Sequence, residues 1–366
     1  MVVLHLLTSG GIGGIEVLCR DIGLYSNNSE HVFAFLFGEG LLYESMKQNG
    51  LHVVSCRKPR KISYARLHDL IKLAKDCDVI IVHHNDPFLE MYYLALHSFL
   101  PKKKYISMIH HCYDPQEERA EYGFAKRNIK KIIIKQMLKK SDRLLFVSKA
   151  GLDSFLRCFR FNRNKAEVVY NGINIEKLEE GKKCKKNDGK IPVLMYAGRL
   201  EKIKGVDQLV NAIALLSDLK CKIQIIGDGK QKNDLLALSQ ELNLAERIEF
   251  INFQIDLTPW LTKADIFIYP SRMEIFGLSV VEALAYQCIC VVNNVGGLPE
   301  IIENHKNGLL NMDNSVEGLA KTIEQAVEIF GNPEEKDKIR KQALITAERF
   351  CIQNTINQLE KNLEDC

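Results

Sequence analysis

Short apolar runs alternate with stretches of helical periodicity along almost the whole chain. Val2–Leu7 (VVLHLL), 31–37 (HVFAFLF), 52–56 (HVVSC), 78–84 (DVIIVHH), 105–111 (YISMIHH) and 143–148 (RLLFVS) are rich in β-branched and aromatic residues. Each is bounded by polar residues or glycine, so each predicts a short buried strand. Tyr64–Lys75 and 89–99 repeat apolar positions every three to four residues, as helices packed on a sheet do, and Ser148 with Lys149 starts a further helix. A second series opens with PVLMYAGRL at 192–200 and continues through KIQIIGDG and RIEFIN. Its helical stretches are 206–216, 232–242 and 259–263, and helices over 315–330 and 335–363 close the chain. This alternation predicts an α/β protein with two parallel sheets covered by helices.

The most informative stretch is 264–302, ADIFIYPSRMEIFGLSVVEALAYQCICVVNNVGGLPEII. An apolar run, 266–269, is closed by Pro270; a polar turn leads into a helical pattern; a second apolar run covers 288–292. In such a strand–helix–strand unit a carboxylate before the helix and one within it, here Glu274 and Glu282, can both lie where open α/β sheets bind ligands. Phe276, Gly277 and Leu278 are expected to supply the first unpaired N–H groups of that helix. Amides suit phosphate and carboxylates suit hydroxyls, which together suit a sugar nucleotide.

At 366 residues and 46% hydrophobic content the chain can bury more than one core, and two domains are expected. A formal net charge of +4 does not imply a polyanionic partner. The 11 cysteines are scattered without a C-x-x-C pair, which reads as reduced thiols and indicates no metal site. From Met1 the chain enters a strand without a signal-peptide pattern, and it has no run of about 18 uncharged apolar residues. A cytoplasmic protein that does not span a membrane is expected.

Other segments add candidate chemistry. Gly10, Gly11, Gly13 and Gly14 follow the first strand, where they either turn the chain tightly or free amides toward an anion. GRLEKIKG, 198–205, places Arg199 and Lys204 after a strand, where a guanidinium fork and an ammonium would meet phosphate. Gly227, Asp228 and Gly229 form another turn. Paired histidines, His83 with His84 and His110 with His111, end two strands; adjacent residues face opposite ways, so the pattern does not say which points inward. Asp76 and Asp78 fall on the amino-end side of the sheet, away from ligands. The charge-dense 181–190 reads as a solvated linker or loop joining the domains.

EIFGLSVVE, preceded by PSRM and followed by ALAYQ, resembles the E-x7-E motif of the retaining GT-B glycosyltransferases of family 4. GGIE at 13–16, NGI at 171–173 and GRL with Lys204 and Gly205 are similar to further motifs of that family in the same order, and the resemblance covers nearly the whole chain. It implies two Rossmann-like domains facing across a cleft: an acceptor domain over 1–175, a nucleotide-sugar domain over 190–345, and a C-terminal helix, 346–366, crossing back to the first. It further implies transfer of a sugar from a nucleotide diphosphate sugar, UDP- favoured over GDP-, to a hydroxyl with retention and without a metal or other cofactor. Glu274 would contact the transferred sugar, His110 that sugar or its acceptor, and Arg199 and Lys204 the diphosphate. Gly13, Gly14, Gly227, Phe276, Gly277 and Leu278 would line the donor site, and Glu282 would hold the ribose. In this mechanism the departing phosphate takes the acceptor's proton. Many relatives have a glycine where this chain has Asn252 and Phe253, which leaves the base open.

The segment 126–140, KRNIKKIIIKQMLKK, carries seven basic residues and no acid, with Ile129, Ile132, Ile133 and Met137 at helical spacing. It predicts a basic amphipathic helix that either packs on the sheet or docks on an anionic membrane surface. With the resemblance it implies a peripheral enzyme on the cytoplasmic face, building cell-surface polysaccharide on a lipid-linked saccharide. A sugar-nucleotide epimerase, a phosphorylase, or a transferase with a soluble acceptor would share the fold, as would a non-catalytic binding module. A nucleic-acid-binding protein lacks support, because the basic helix has no interleaved aromatics.

Overall fold

The computed structural model describes residues 1–366 apart from 12, 57–62, 85, 185–190 and 366, and apart from the side chains of 117, 120 and 121. Its strands are β1 (Val2–Leu7), β2 (Glu30–Phe35), β3 (His52–Ser55), β4 (Val79–His84), β5 (Lys104–Ile109), β6 (Arg143–Phe146) and β7 (Ala166–Val168), then β8 (Val193–Ala197), β9 (Lys222–Ile226), β10 (Ile248–Ile251), β11 (Ile266–Tyr269), β12 (Ile289–Asn293) and β13 (Gly308–Asn311). The first seven form one sheet in the order β3-β2-β1-β4-β5-β6-β7, and the others a six-stranded sheet ordered β10-β9-β8-β11-β12-β13. All strand pairings among the described residues are parallel. Helices join successive strands, and β4, β11 and β12 are buried along their whole length, as strands covered on both faces must be. Each sheet is therefore doubly wound, with its reversal of strand order between β1 and β4 in one and between β8 and β11 in the other.

The chain divides into two compact units, Met1–Gly172 with Ile352–Cys366, and Ile173–Cys351. The division falls before the charged 181–190, which was expected to be a linker. Gly181 to Lys183 instead end the helix Ile175–Lys183, and a side chain on Gly181 would stand 2.1 Å from the Ala285 carbonyl. Gly181 is thus a packing residue of the second unit; residues 185–190 lie outside those described. The single closing helix expected over 335–363 is two, Pro333–Arg349 and Ile352–Glu364. The chain passes between them at Phe350 and Cys351, where Ile173 N–H donates to the Phe350 carbonyl. The final helix belongs to the first unit, held there by Thr355 Oγ1 on the Tyr170 carbonyl and by Ser26 Oγ on Glu360.

The 264–302 stretch folds as strand, helix and strand: β11, helix Leu278–Ala285 and β12, with Ile266 opposite Ile289 and Tyr269 opposite Val292. Several short elements escape the apolar pattern, among them β7, β13 and the helices Leu41–Gln48, Pro115–Glu121, Ile175–Lys183 and Leu298–Ile301. Each carries too few apolar residues to show a period.

Candidate active site

In the second unit, chemistry gathers at the reversal of strand order. The loop after β8 carries Arg199 and Lys204, and the loop after β11 carries Glu274, so two neighbouring strands deliver opposite charges to one end of the sheet. Lys204 Nζ lies 2.6 Å from Glu274 Oε2 and 3.1 Å from the Tyr269 hydroxyl, which donates to the same carboxylate oxygen at 2.8 Å. Burial and the Glu274 charge push the Tyr269 phenol well above its ordinary value, so it remains a donor. Lys204 and Glu274 are only 13% and 11% exposed, and the partner of either, if removed, would leave a poorly solvated charge. Arg199 is different: its side chain is 66% exposed and paired with Glu201 at 3.2 Å, so it is not part of the Lys204 cluster.

Two of the expected amides, those of Gly277 and Leu278, stand at the start of the helix. Gly277, with φ at 102°, adopts the left-handed backbone that starts the helix Leu278–Ala285. Among the described residues the N–H groups of Gly277, Leu278 and Ser279 have no protein acceptor, whereas Val280 N–H already bonds the Gly277 carbonyl. Phe276 instead contributes its ring, buried edge-on against Phe350. Gly296 and Gly297 lie in close approach to the Glu274 loop. A Cβ on Gly296, at φ 53°, would stand 1.8 Å from the Glu274 carbonyl, and Gly297 N–H donates to that carbonyl at 2.9 Å. The glycines thereby clamp the loop that holds the carboxylate.

Glu282, in the helix after Gly277, forms an ion pair with Lys177 of the helix Ile175–Lys183. Sequence reasoning missed Lys177; the one local signal is Asn174, whose side chain caps that helix by accepting from Lys177 N–H. Arg272 was also missed. Its guanidinium forks onto Asp207 at 2.7 Å for each bond and reaches the Lys202 carbonyl, tying the β11 loop to the β8 loop. Gly227 sits in the loop after β9, where Gly198 N–H donates to the Ile226 carbonyl and Leu200 N–H to that of Asp228, fixing the start of the Arg199 loop. Asn252 accepts from Lys232 at 2.6 Å, and Phe253 is half exposed.

In the first unit the glycine loop follows β1. Gly13 caps the helix Gly14–Tyr25 without a side-chain bond, and Gly10 N–H donates to the Gly38 carbonyl. His83 and His84 end β4, and His110 follows β5. His110 Nε2 stands 3.0 Å from His83 Nδ1, while His111 Nδ1 turns to the His84 carbonyl at 3.3 Å and its ring meets the edge of Phe155. Asp78 binds Val2 N–H at the amino end of the sheet.

No metal site was expected, yet ligand atoms of His5, Cys19 and His83 converge within 4.8 Å. The spacing is that of hydrogen bonding. His5 Nδ1 and His83 Nε2 are 2.9 Å apart, whereas two nitrogens on one tetrahedral zinc stand roughly 3.3 Å apart. Burial, with Glu16 and Asp21, holds the Cys19 thiol well above its ordinary value and so protonated.

Two doubly wound parallel units, one of them presenting a lysine, two carboxylates and unpaired helix amides near its reversal point, define the GT-B class of nucleotide-sugar transferases. The chain belongs to glycosyltransferase family 4: residues 12–177 match Glycosyltransferase Family 4 and residues 178–345 match Glycosyl transferases group 1. It is 28% identical over 326 residues, 86% of this chain and 88% of the other, to the N-acetylgalactosamine-N,N'-diacetylbacillosaminyl-diphospho-undecaprenol 4-alpha-N-acetylgalactosaminyltransferase of Campylobacter jejuni. To an uncharacterized 41.2 kDa protein in the cps region of Klebsiella pneumoniae it is 30% identical, over 66% of this chain and 67% of that protein. Anabaena HepE in complex with UDP and glucose shares its fold with a TM-score of 0.83 at 20% identity, covering 100% of this chain and 99% of that one. WaaG, a glycosyltransferase involved in lipopolysaccharide biosynthesis, does so at 0.73 and 13% identity, over 98% of each chain. The protein is thus a glycosyltransferase that draws on a nucleotide sugar.

Proposed function

We propose that the enzyme transfers a hexose from a UDP-sugar, with a GDP-sugar as the alternative donor, to a hydroxyl of a lipid-linked saccharide, retaining the anomeric configuration. The observation that carries this reading is the Lys204–Glu274–Tyr269 cluster beside the unpaired amides of Gly277 to Ser279. Departure of the nucleotide diphosphate builds negative charge on phosphate oxygens, and preorganised donors in a shielded site stabilise such charge best. Lys204 and the amides supply them without a metal. Arg199 swings from Glu201 onto the diphosphate as the donor arrives. Glu274, released from Lys204 by the phosphate, turns to the sugar hydroxyls, and Glu282 to those of the ribose.

The Campylobacter relative, named for action on a diphospho-undecaprenol saccharide, and the cps region of the Klebsiella relative support a lipid-linked acceptor in cell-surface polysaccharide synthesis. The UDP and glucose held by Anabaena HepE support a UDP-sugar donor. No helix among the described residues is long and apolar enough to cross a membrane. Work at the cytoplasmic face therefore rests on surface docking, supported by the exposed Phe124, Ile129 and Ile132 among lysines of the helix Phe124–Lys140. Incubation of labelled UDP-sugars with polyprenyl-diphosphate saccharides tests the reading: a lengthened lipid-linked product with a retained anomeric signal, equally formed with EDTA, is expected. Free epimerised sugar nucleotide, or product only from water-soluble saccharides, would replace it with the epimerase or soluble-acceptor alternative.

A further inference from the structure

Glu282 follows Leu278 by four residues in the helix Leu278–Ala285, so its side chain leaves the helix leaning toward the turn that carries the unpaired amides of Gly277 to Ser279. One carboxylate oxygen, Oε1, takes the Lys177 ammonium. Among the described residues the other, Oε2, takes no hydrogen-bond partner. Both side chains are mostly shielded, at 24% exposure for Lys177 and 14% for Glu282. Most of the solvation of two charges is given up at this contact.

Joining two helices does not require that expense. Lys177 belongs to the helix Ile175–Lys183, which is seated against Leu278–Ala285 by other means. Leu178 is buried, Gly181 leaves no room for a side chain beside the Ala285 carbonyl, and Gln287 Nε2 donates to the Gly181 carbonyl at 3.0 Å. The Tyr286 hydroxyl donates to Glu180 at 2.7 Å. At the other end Asn174 Oδ1 accepts from Lys177 N–H at 2.9 Å. The backbone that carries Lys177 is thus held on both sides. An apolar contact would dock these helices as well as a shielded ion pair, because desolvation cancels much of the attraction between the charges. It could not hold a carboxylate in one rotamer with an oxygen to spare.

We propose that Lys177 is a positioning residue: it holds Glu282 by one oxygen so that the other accepts from the ribose hydroxyls of the donor, which makes Lys177 a determinant of specificity for ribonucleotide over deoxyribonucleotide sugars. This rests on the reading of Glu282 as the carboxylate that holds the ribose. An ammonium has donors and no acceptor, so Lys177 cannot itself take a hydrogen bond from a hydroxyl; it acts through Glu282. Fixing the carboxylate in advance removes the ordering cost that a free glutamate side chain would meet when the donor binds. A donor without ribose hydroxyls leaves Oε2 unpaired in a shielded place, and a site of that kind rejects the analogue that lacks the group. The two lysines therefore differ in kind. Lys204 gives up Glu274 when phosphate arrives, whereas Lys177, on an anchored helix, keeps Glu282 throughout.

The test compares binding of UDP or GDP with binding of the analogue that lacks both ribose hydroxyls. Wild type is expected to favour the ribonucleotide by about tenfold, a hydrogen bond to a charged group being worth roughly ten- to a hundredfold. Lys177→Met should cut that ratio at least about threefold without changing affinity for the analogue, and Lys177→Arg should restore it. In turnover the donor KM should rise in Lys177→Met with kcat nearly held, as loss of ground-state binding requires. Glu180→Ala removes the Tyr286 anchor and leaves the Lys177–Glu282 pair in place, so it should keep the wild-type ratio. A folded Lys177→Met variant with the wild-type ratio, or an equal loss in Glu180→Ala, overturns the proposal. Glu282→Gln separates it from the reading beneath. A ratio lost there but intact in Lys177→Met leaves Glu282 on the ribose and overturns the role of Lys177 alone. A ratio intact in both removes Glu282 from the ribose, and the proposal with it.

Discussion

Lys204, Glu274 and Tyr269 share one carboxylate oxygen, so the first consequence at the residue scale is coupling. Glu274→Gln is expected to lower kcat by at least about a hundredfold, as loss of a transition-state contact does, while UDP affinity changes little. Glu282→Gln should instead weaken donor binding several-fold. Equal effects of both on kcat and affinity would contradict the assignment. Lys204→Ala should lower stability as well as activity, because it leaves the largely buried Glu274 carboxylate with only Tyr269 as donor. Restoration of stability, without activity, in the Lys204→Ala, Glu274→Gln double variant would identify the unpaired charge as the cause. Sequence order gave these residues their neighbourhood, since Lys204 and Glu274 follow strands. It could not give Lys177, Tyr269 or Arg272 their partners, because pairings across 105 or 65 residues depend on how strands stack.

The buried histidines set a pH dependence. His5, His31, His83, His84, His110 and His111 all have folded values below the ordinary 6.5, chiefly through burial. The unfolded chain therefore binds more protons below pH 6.5, and stability, complete above that, falls as pH drops toward 4. Glu90, pushed up to about 7 by burial, works in the opposite sense between 7 and 4.5, but it is one group against six. Calorimetry should show Tm falling from pH 7 to pH 5; a flat or rising profile would mean that these rings are charged in the folded protein.

At the scale of elements, the helix Phe124–Lys140 divides its apolar residues between the core and the surface. Ile134, Met137 and Leu138 are buried on the sheet, whereas Ile129 and Ile132 are 57% and 59% exposed. Periodicity alone could not separate the two faces, because six apolar residues fall on more than half the helix circumference. Lys130 pairs with Glu118 and lies over Tyr122, so it is structural. A cavity lined in part by Lys135, Lys139, Arg160 and Lys165 adjoins the same helix. Co-sedimentation with anionic vesicles should appear at low salt and fade at high salt. It should drop with Lys126→Glu, Lys135→Glu and Lys139→Glu combined, each cation contributing about 1 kcal/mol. No binding at low salt would remove the surface role. The organising helix Leu278–Ala285 was legible because acid, glycine and flanking strands agreed.

At the scale of the molecule, two parallel sheets were legible because parallel strands buried on both faces leave dense apolar runs at regular spacing. The point of division was not. A charge-dense segment looks like a linker, but the chain passes between units at Gly172, inside the NGI turn, and returns at Cys351 within what reads as one long helix. Contacts, not composition, set those points. The central claim is that the second unit holds a nucleotide diphosphate sugar on Lys204, Arg199 and the Gly277 amides. Thermal stabilisation across a panel of nucleotide sugars tests it most directly, since a ligand bound only by the folded state raises Tm with its concentration. The account predicts a rise with UDP-sugars and UDP, a smaller one with UMP, the same result in EDTA, and loss of most of the rise in Arg199→Ala and Lys204→Ala. A Tm unmoved by every nucleotide sugar, or moved equally in both variants, would contradict it.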